Sequence, residues 1–300
     1  MMKKINNLNI LDRSLSKKAR IILPEESDSR VKSAIEILIK HGFEIISLEA
    51  LKEKKCLYKN LIYKKKFTNN WTEKMIDDFL SNPINFSFIA LLNDDVDCAI
   101  AGATVPSSDV IRSSIRIIGF ETNAKLLSSS FFMVSDNSKQ KYTFADCAVI
   151  PEPNSSQLCS IAYDAAMNHE LLSGNQAKVA FLSFSTNGSA EHYKVKKMNE
   201  SYKLFKKIYP DIVCDGELQF DAAINSGIAI RKGSGNALNG DANVFIFPDL
   251  DSGNIAYKIT QHLAGYMALG PLLQGLNKPV HDLSRGCSVD DVVNVSMIAA

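Results

Sequence analysis

The sequence predicts an α/β protein of two domains with mainly parallel sheets. Three observations predict it. The chain has 300 residues, roughly twice the ~150 of an average domain. Short apolar runs stopped by Gly or Pro alternate with helical periodicity along most of its length, the pattern of strands joined by crossover helices. Polar, Gly-containing segments follow those strands, where ligand loops of such sheets gather. With 46% hydrophobic and 22% charged residues, the chain is able to bury a sizeable core.

The elements follow in order. Residues 1–18 read as a flexible lead-in. Ala19–Pro24 is an apolar run stopped by Pro, a buried strand. Residues 27–29 offer N-caps, Val31, Ala34, Ile35 and Leu38 fall at helical spacing, and Gly42 ends the helix. Phe43–Leu48 is a second strand, so the unit is strand–helix–strand with parallel strands. Residues 50–75 are lysine-rich and poorly patterned, a surface helix and loop. Residues 96–102 read as a strand and 107–118 as a helix. Residues 126–134 and 143–149 read as strands, and Pro151-Glu-Pro153 marks a domain junction. A helix near 155–171 precedes strands at 178–184, 212–214 and 243–247.

Charge and cysteine usage exclude several functions. Lys+Arg 34 against Asp+Glu 33 leaves +1, no excess to favour nucleic acid or an anionic membrane. No run nears the ~18 apolar residues of a spanning helix, and the first twenty residues hold no secretory signal. Six cysteines and five histidines are scattered without ligand spacing, which argues for reduced thiols in a cytoplasm and against a structural zinc site. No metal is expected.

The densest polar cluster is His281-Asp-Leu-Ser-Arg-Gly-Cys-Ser-Val-Asp-Asp291. Hydroxyls, N–H groups and a guanidinium leading into an apolar helix suit an anion. Ser288-x-x-Asp291 equally matches a capping box with Asp in place of Glu. Arg285 tips the balance toward function, because arginine is rare here and its planar fork suits phosphate. The loop around Gly188 either cradles phosphate or only turns the chain. Gly233-Ser-Gly235 follows no strand directly, so it reads as a surface loop. Cys287 and Cys147 read as packed thiols.

Eight segments carry a resemblance: Arg20–Glu26, Phe144–Val149, Leu182–Ala190, Asp215–Gln219, Asn243–Asp249, Gly253-Asn254, Leu273–Gly275 and Asp282–Asp291. In content and order the chain resembles the phosphate acetyl/butyryltransferases, and its closing motif is similar to the acetyl branch. The resemblance implies the isocitrate/isopropylmalate dehydrogenase-like fold: two α/β domains with an interdomain active-site cleft. It puts residues 1–131 plus 274–300 in a discontinuous first domain and 132–273 in the second. It implies a homodimer that interconverts acetyl-CoA and inorganic phosphate with coenzyme A and acetyl phosphate by direct thiolate attack in a ternary complex, coenzyme A being substrate and no cofactor being needed. Asp291 then matches the thiol's proton acceptor, Ser284 a transition-state stabiliser, and Arg285 the phosphoryl-holding arginine. Contacts to acetyl phosphate fall to Arg112, Ser185, Thr186, Asn254, Tyr257 and Lys258.

The chain departs from the family pattern at three places. Tyr63-Lys-Lys-Lys66 lacks the family's Arg and Gly, Val105 stands where the family has His, and Ile150-Pro-Glu-Pro153 replaces an Asn-Pro-x-Pro turn. Two other readings of the chain are a decarboxylating dehydrogenase with a metal at Asp249 and Asp251, and a regulatory acetyl-CoA-binding module. The first leaves the Ser-Arg-Gly-Cys-Ser loop without a role. The second is disfavoured by the intact Ser284, Arg285 and Asp291.

Overall fold

The computed structural model describes residues 10–122, 124, 126–233 and 237–300. It divides into two compact units, Met1–Ala124 with Leu276–Ala300, and Lys125–Gly275. Each has its own sheet.

In the first unit, β1 (Arg20–Ile22), β2 (Glu44–Ile45), β3 (Cys98–Ala101) and β10 (Val280–Asp282) form a parallel sheet in the order β10-β3-β1-β2. The expected strand–helix–strand unit is present. Asp28 caps α2 (Ser29–Lys40) by accepting from the Arg30 N–H, and Val31, Ala34 and Leu38 are its buried face. Gly42 follows at φ +87°, a left-handed turn that glycine enters without penalty. Residues 10–18 are not all lead-in: Ile10–Lys17 form α1, and Ser14 donates to the Met297 carbonyl. Residues 1–9 lie outside the described residues. The lysine-rich stretch contains α3 (Lys55–Tyr63). Next come α4 (Glu73–Ser81), α5 (Pro83–Leu92) and α6 (Ser107–Ile117). The last helix, α12 (Val289–Ala299), packs on α1, α2 and β3.

The second unit holds six strands in the order β7-β6-β8-β5-β4-β9. The strands β5 (Lys141–Ala145), β6 (Lys178–Leu182), β7 (Val213–Leu218) and β8 (Val244–Ile246) are mutually parallel, whereas β4 (Ser128–Val134) runs antiparallel to β5 and β9 (Met267–Gln274). Both faces are buried. Val179 and Phe181 join one core with Leu158, Ile161, Ala162 and Ala165 of α7 (Ser155–Ser173), while Ala180 and Leu182 join another with Phe144, Phe245 and Leu218. That two-sided burial is why the strands read as unbroken apolar runs. After α7 the unit's helices are α8 (Tyr193–Ile208), α9 (Phe220–Ile224), α10 (Ser226–Arg231) and α11 (Leu250–His262).

Residues 126–131, assigned to the first domain from the sequence, belong with the second unit, because β4 pairs along its whole length with β5 and β9. Pro151-Glu-Pro153 lies inside that unit and is not a junction. No strand was expected at β9, whose Gly270-Pro271 reads as a breaker. The strand survives because it lies at the sheet edge and its register shifts against β4 between Ser130 and Phe132, where proline's missing N–H is not needed. Of the surface loop expected at Gly233-Ser-Gly235, Ser234 and Gly235 lie outside the described residues.

Candidate active site

The closing turn leaves β10 at Asp282 and enters α12 at Ser288. Both readings of Ser288-x-x-Asp291 hold at once. Ser288 is the N-cap and accepts from the Asp291 N–H at 3.2 Å, while Asp291 Oδ2 accepts from the Ser288 N–H at 2.8 Å and from its hydroxyl at 2.9 Å. Those bonds use one carboxylate oxygen and orient the group, and among the described residues Oδ1 has no partner. Ser284 is exposed, and its Oγ accepts from the Gly286 N–H at 3.2 Å, so its own proton is uncommitted. Arg285 is exposed, and among the described residues its guanidinium has no partner. A hydroxyl, an open carboxylate oxygen and a free fork thus lie within residues 284–291.

Two polar loops that follow strands are filled by the chain's own carboxylates. After β3, the N–H groups of Gly102, Ala103, Thr104 and Val105 converge on the buried Glu25, at 2.7, 2.8, 2.7 and 3.2 Å, and the Thr104 hydroxyl adds a bond of 2.6 Å. This is a backbone anion nest with its anion built in. After β6, Glu217 accepts from the Gly188 N–H (2.7 Å), Ser185 Oγ (3.0 Å) and Asn199 Nδ2 (2.9 Å). Burial pushes the Glu217 carboxyl up, but the Gly188, Asn199 and Ser185 bonds outweigh it and leave it below its ordinary value.

That wiring engages Ser185 and Thr186. Both are buried. Ser185 Oγ serves Glu217 and the Ala190 N–H, and Thr186 Oγ1 accepts from the Gln219 N–H at 2.9 Å. Their hydroxyls shape the loop and do not face solvent. Asn254, Tyr257 and Lys258 lie on α11 (Leu250–His262) of the second unit. Asn254 donates to the Cys147 carbonyl at 3.0 Å, and Tyr257 stacks on Phe131 at 3.9 Å between centroids, where burial raises its hydroxyl to about 12. Lys258 is exposed. Arg112, on α6, pairs with Asp109 through Nη1 at 2.9 Å. With Arg116, Asn82, Asn85 and Val105 it lines a concavity of about 250 Å³.

At two of the departures the structure shows what the residues present contact. Lys65 donates to the Ile117 carbonyl at 2.7 Å, closing the C-terminus of α6, while Lys64 and Lys66 are exposed. Val105 gives its N–H to Glu25. Asp249, a metal candidate in the dehydrogenase reading, caps α11 and pairs with Lys194 at 2.8 Å. Among the described residues no group of three or more His, Cys, Asp or Glu is placed to hold a metal.

Sequence reasoning missed three residues that build the site. Glu25 lies in a quoted motif, directly after a strand, yet its partners are 77 to 80 positions away. Arg30 reaches Ala103, Arg285 and Cys287. Asp282 is buried before the turn, and its Oδ1 has no hydrogen-bond partner. Burial raises it to about 7; hydrogen bonds from Ser107 and the Leu283 N–H oppose the rise, and the nearby Glu25 charge adds a smaller push upward.

A family model described as "Phosphate acetyl/butaryl transferase" matches residues 41–300. The phosphate acetyltransferase of Staphylococcus aureus (strain MRSA252) is 38% identical, covering 98% of this chain and 97% of its own. Among solved structures, EutD phosphotransacetylase from Staphylococcus aureus matches with a TM-score of 0.86 at 37% identity, over 99% of this chain and 98% of that one. A phosphotransacetylase from Streptococcus pyogenes matches with the same TM-score at 32% identity, over 100% and 98%. The chain therefore belongs to the phosphate acetyl/butaryl transferase family.

Proposed function

We propose that this acyltransferase interconverts acetyl-CoA and inorganic phosphate with coenzyme A and acetyl phosphate. Family membership over nearly the full length supports the reaction class. The observation that carries the reading is the exposed guanidinium of Arg285, without a partner among the described residues, in the same turn and helix start as the Ser284 hydroxyl and Asp291.

The proposed chemistry runs as direct displacement. The coenzyme A thiol, largely protonated at neutral pH, gives its proton to Asp291 as sulfur attacks the acetyl carbonyl carbon. The C–S bond forms, negative charge builds on the carbonyl oxygen, and the Ser284 O–H donates to it. The bond between the carbonyl carbon and the bridging oxygen then breaks, phosphate leaves with that electron pair, held by the Arg285 fork, and the proton on Asp291 passes to the departing phosphate, which restores the carboxylate. Written this way, atoms and charge balance without a redox group or metal. Capping and catalysis by Asp291 are compatible, because one oxygen holds the helix and the other is free for the proton.

Of the wider set, Arg112 and Lys258 present exposed cations, and we retain both as contacts to phosphate. Ser185, Thr186, Asn254 and Tyr257 we assign to holding the loops and packing of the second unit. We also infer a cytoplasmic homodimer, in keeping with a coenzyme A substrate; among the described residues no helix is long and apolar enough to cross a membrane. The test is thioester formation, followed by absorbance, from coenzyme A with acetyl phosphate and separately with butyryl phosphate. Faster turnover of acetyl phosphate is the expected result, and no thioester from either donor overturns the reading.

A further inference from the structure

We propose that Arg30 is a positioning residue for this reaction: it binds no substrate, and holds the turn that presents Ser284 and Arg285 against the loop after β3. The inference rests on the function proposed above. Its warrant is a complete donor count. A guanidinium has five N–H groups. Nε donates to Asp28 Oδ1 at 3.0 Å, and Nη2 to Asp28 Oδ2 and the Ala103 carbonyl, both at 2.8 Å. Nη1 donates to the Arg285 carbonyl at 2.8 Å and the Cys287 carbonyl at 2.9 Å. All five are spent inside the chain. A phosphate could take one only by displacing an existing acceptor, and every acceptor but the exposed Arg285 carbonyl is in a part-buried hydrogen bond whose loss would leave it without its donor. Arg285 is the opposite case, with no N–H committed among the described residues.

The same count shows what Arg30 holds. Before the turn, the Leu283 N–H donates to the Ala101 carbonyl at 2.8 Å; after it, the Ser288 capping box takes over. Between those anchors the turn's other hydrogen bonds are internal, from the Cys287 N–H to the Ser284 carbonyl and from the Gly286 N–H to Ser284 Oγ. Among the described residues, Arg30 alone donates to this turn from outside. Its grip falls on the two carbonyls that flank Gly286, a residue with little conformational restraint of its own. Asp28 secures the other end, since it also caps α2 and its carboxyl is held down at about 2, chiefly by the hydrogen bond from Arg30. Lysine cannot replace this arrangement, because three donors on one nitrogen do not span four acceptor residues.

The experiment compares wild type with Arg30→Lys and Arg30→Gln, all in a Cys56→Ser background that removes the exposed thiol. It reads kcat, both KM values, and the rate at which an aromatic disulfide reagent labels Cys287, a thiol 6% exposed with Arg30 Nη1 at 3.7 Å. Positioning predicts a kcat lower by about 10- to 100-fold with both KM values within about threefold, since small misplacements at a reacting centre cost that much. It predicts Cys287 labelling faster by about tenfold or more, and no rescue by Arg30→Lys. Adding Arg30→Gln to Arg285→Gln should cost little beyond the larger single effect. A raised KM with unchanged kcat would make Arg30 a substrate contact, and unchanged Cys287 labelling would mean that it does not hold the turn; either overturns the proposal. Should wild type form no thioester, the function fails, while the labelling rates still decide whether Arg30 holds the turn.

Discussion

Two neighbouring arginines of the first unit divide the work by how many donors each has left. Arg30 has none, and Arg285 has all of its own. The expected outcome at Arg285 is therefore a functional loss with almost no structural one. Arg285→Lys keeps the charge and loses the fork, so kcat/KM for acetyl phosphate should fall by about 10- to 100-fold, the worth of one charge-assisted hydrogen bond. Melting temperature should barely move, since the side chain contacts no partner. Steady-state kinetics and a thermal melt check both. Asp282 gives the pH dependence. Its carboxyl is raised to about 7 in the folded protein, first by burial and then by the Glu25 charge, whereas an unfolded aspartate titrates near ~3.9. Between those values the folded state holds the extra proton, so this group's contribution to stability falls as pH rises from about 4 through 7. Asp282→Asn should flatten that fall, melting higher than wild type at pH 8 and gaining little at pH 4; thermal melts at the two pH values check it. Arg285 stood out by residue type, but the spent donors of Arg30 and the raised carboxyl of Asp282 did not. Arg30 was one arginine of a rare set, and its meaning appears only when Ala103, Arg285 and Cys287 come to it from 73 to 257 positions away.

At the scale of elements, the helix α12 and the loop after β3 carry the site. Ser288 starts α12 and also supplies both hydrogen bonds that orient Asp291. Ser288→Ala removes the cap and the hydroxyl bond together. It should cost about 1 kcal/mol, seen as a melting temperature lower by about 2–4 °C, with turnover reduced as the carboxylate loosens. Gly102 is fixed by its neighbours. It has φ +103°, and a Cβ there would stand 2.2 Å from Asp282 Oδ1 and 2.9 Å from both backbone atoms N and O of Leu283. Gly102→Ala should therefore destabilise the fold by about 1–3 kcal/mol and displace the closing turn, checked by denaturant titration beside kinetics. The sequence made α2, the parallel pairing around β1 and the capping box of α12 readable, because each depends on local periodicity or short spacing. It did not reveal that the loops at residues 102–105 and 185–190 are filled by Glu25 and Glu217. Glycine, serine and threonine after a strand look the same whether the anion comes from a ligand or from the chain itself. The strand β9 was hidden by Pro271, whose tolerance depends on an edge position that only the assembled sheet provides.

For the whole molecule, the alternation of strands and helices gave the α/β class, and the ordered motifs gave the family to which the comparisons assign the chain. The boundary between units was less legible, because β4 follows the first unit in sequence yet belongs by hydrogen bonding to β5 and β9. Within the first unit, a single segment after β1 supplies both Glu25 and Arg30, so the loop after β3 and the closing turn are held by residues five positions apart. That economy holds the backbone around the proposed catalytic groups while leaving, among the described residues, the Arg285 guanidinium, the Ser284 hydroxyl proton and one oxygen of Asp291 uncommitted. The central claim is that this unused set performs acetyl transfer with Asp291 as the proton acceptor. The most direct measurement is the initial rate of thioester formation from acetyl phosphate and coenzyme A by wild type and by Asp291→Asn, whose amide oxygen still serves the cap. The account predicts rapid turnover by wild type and a kcat lower by about 100- to 10,000-fold in the variant, with melting temperature nearly unchanged. Turnover by Asp291→Asn close to that of wild type would contradict it.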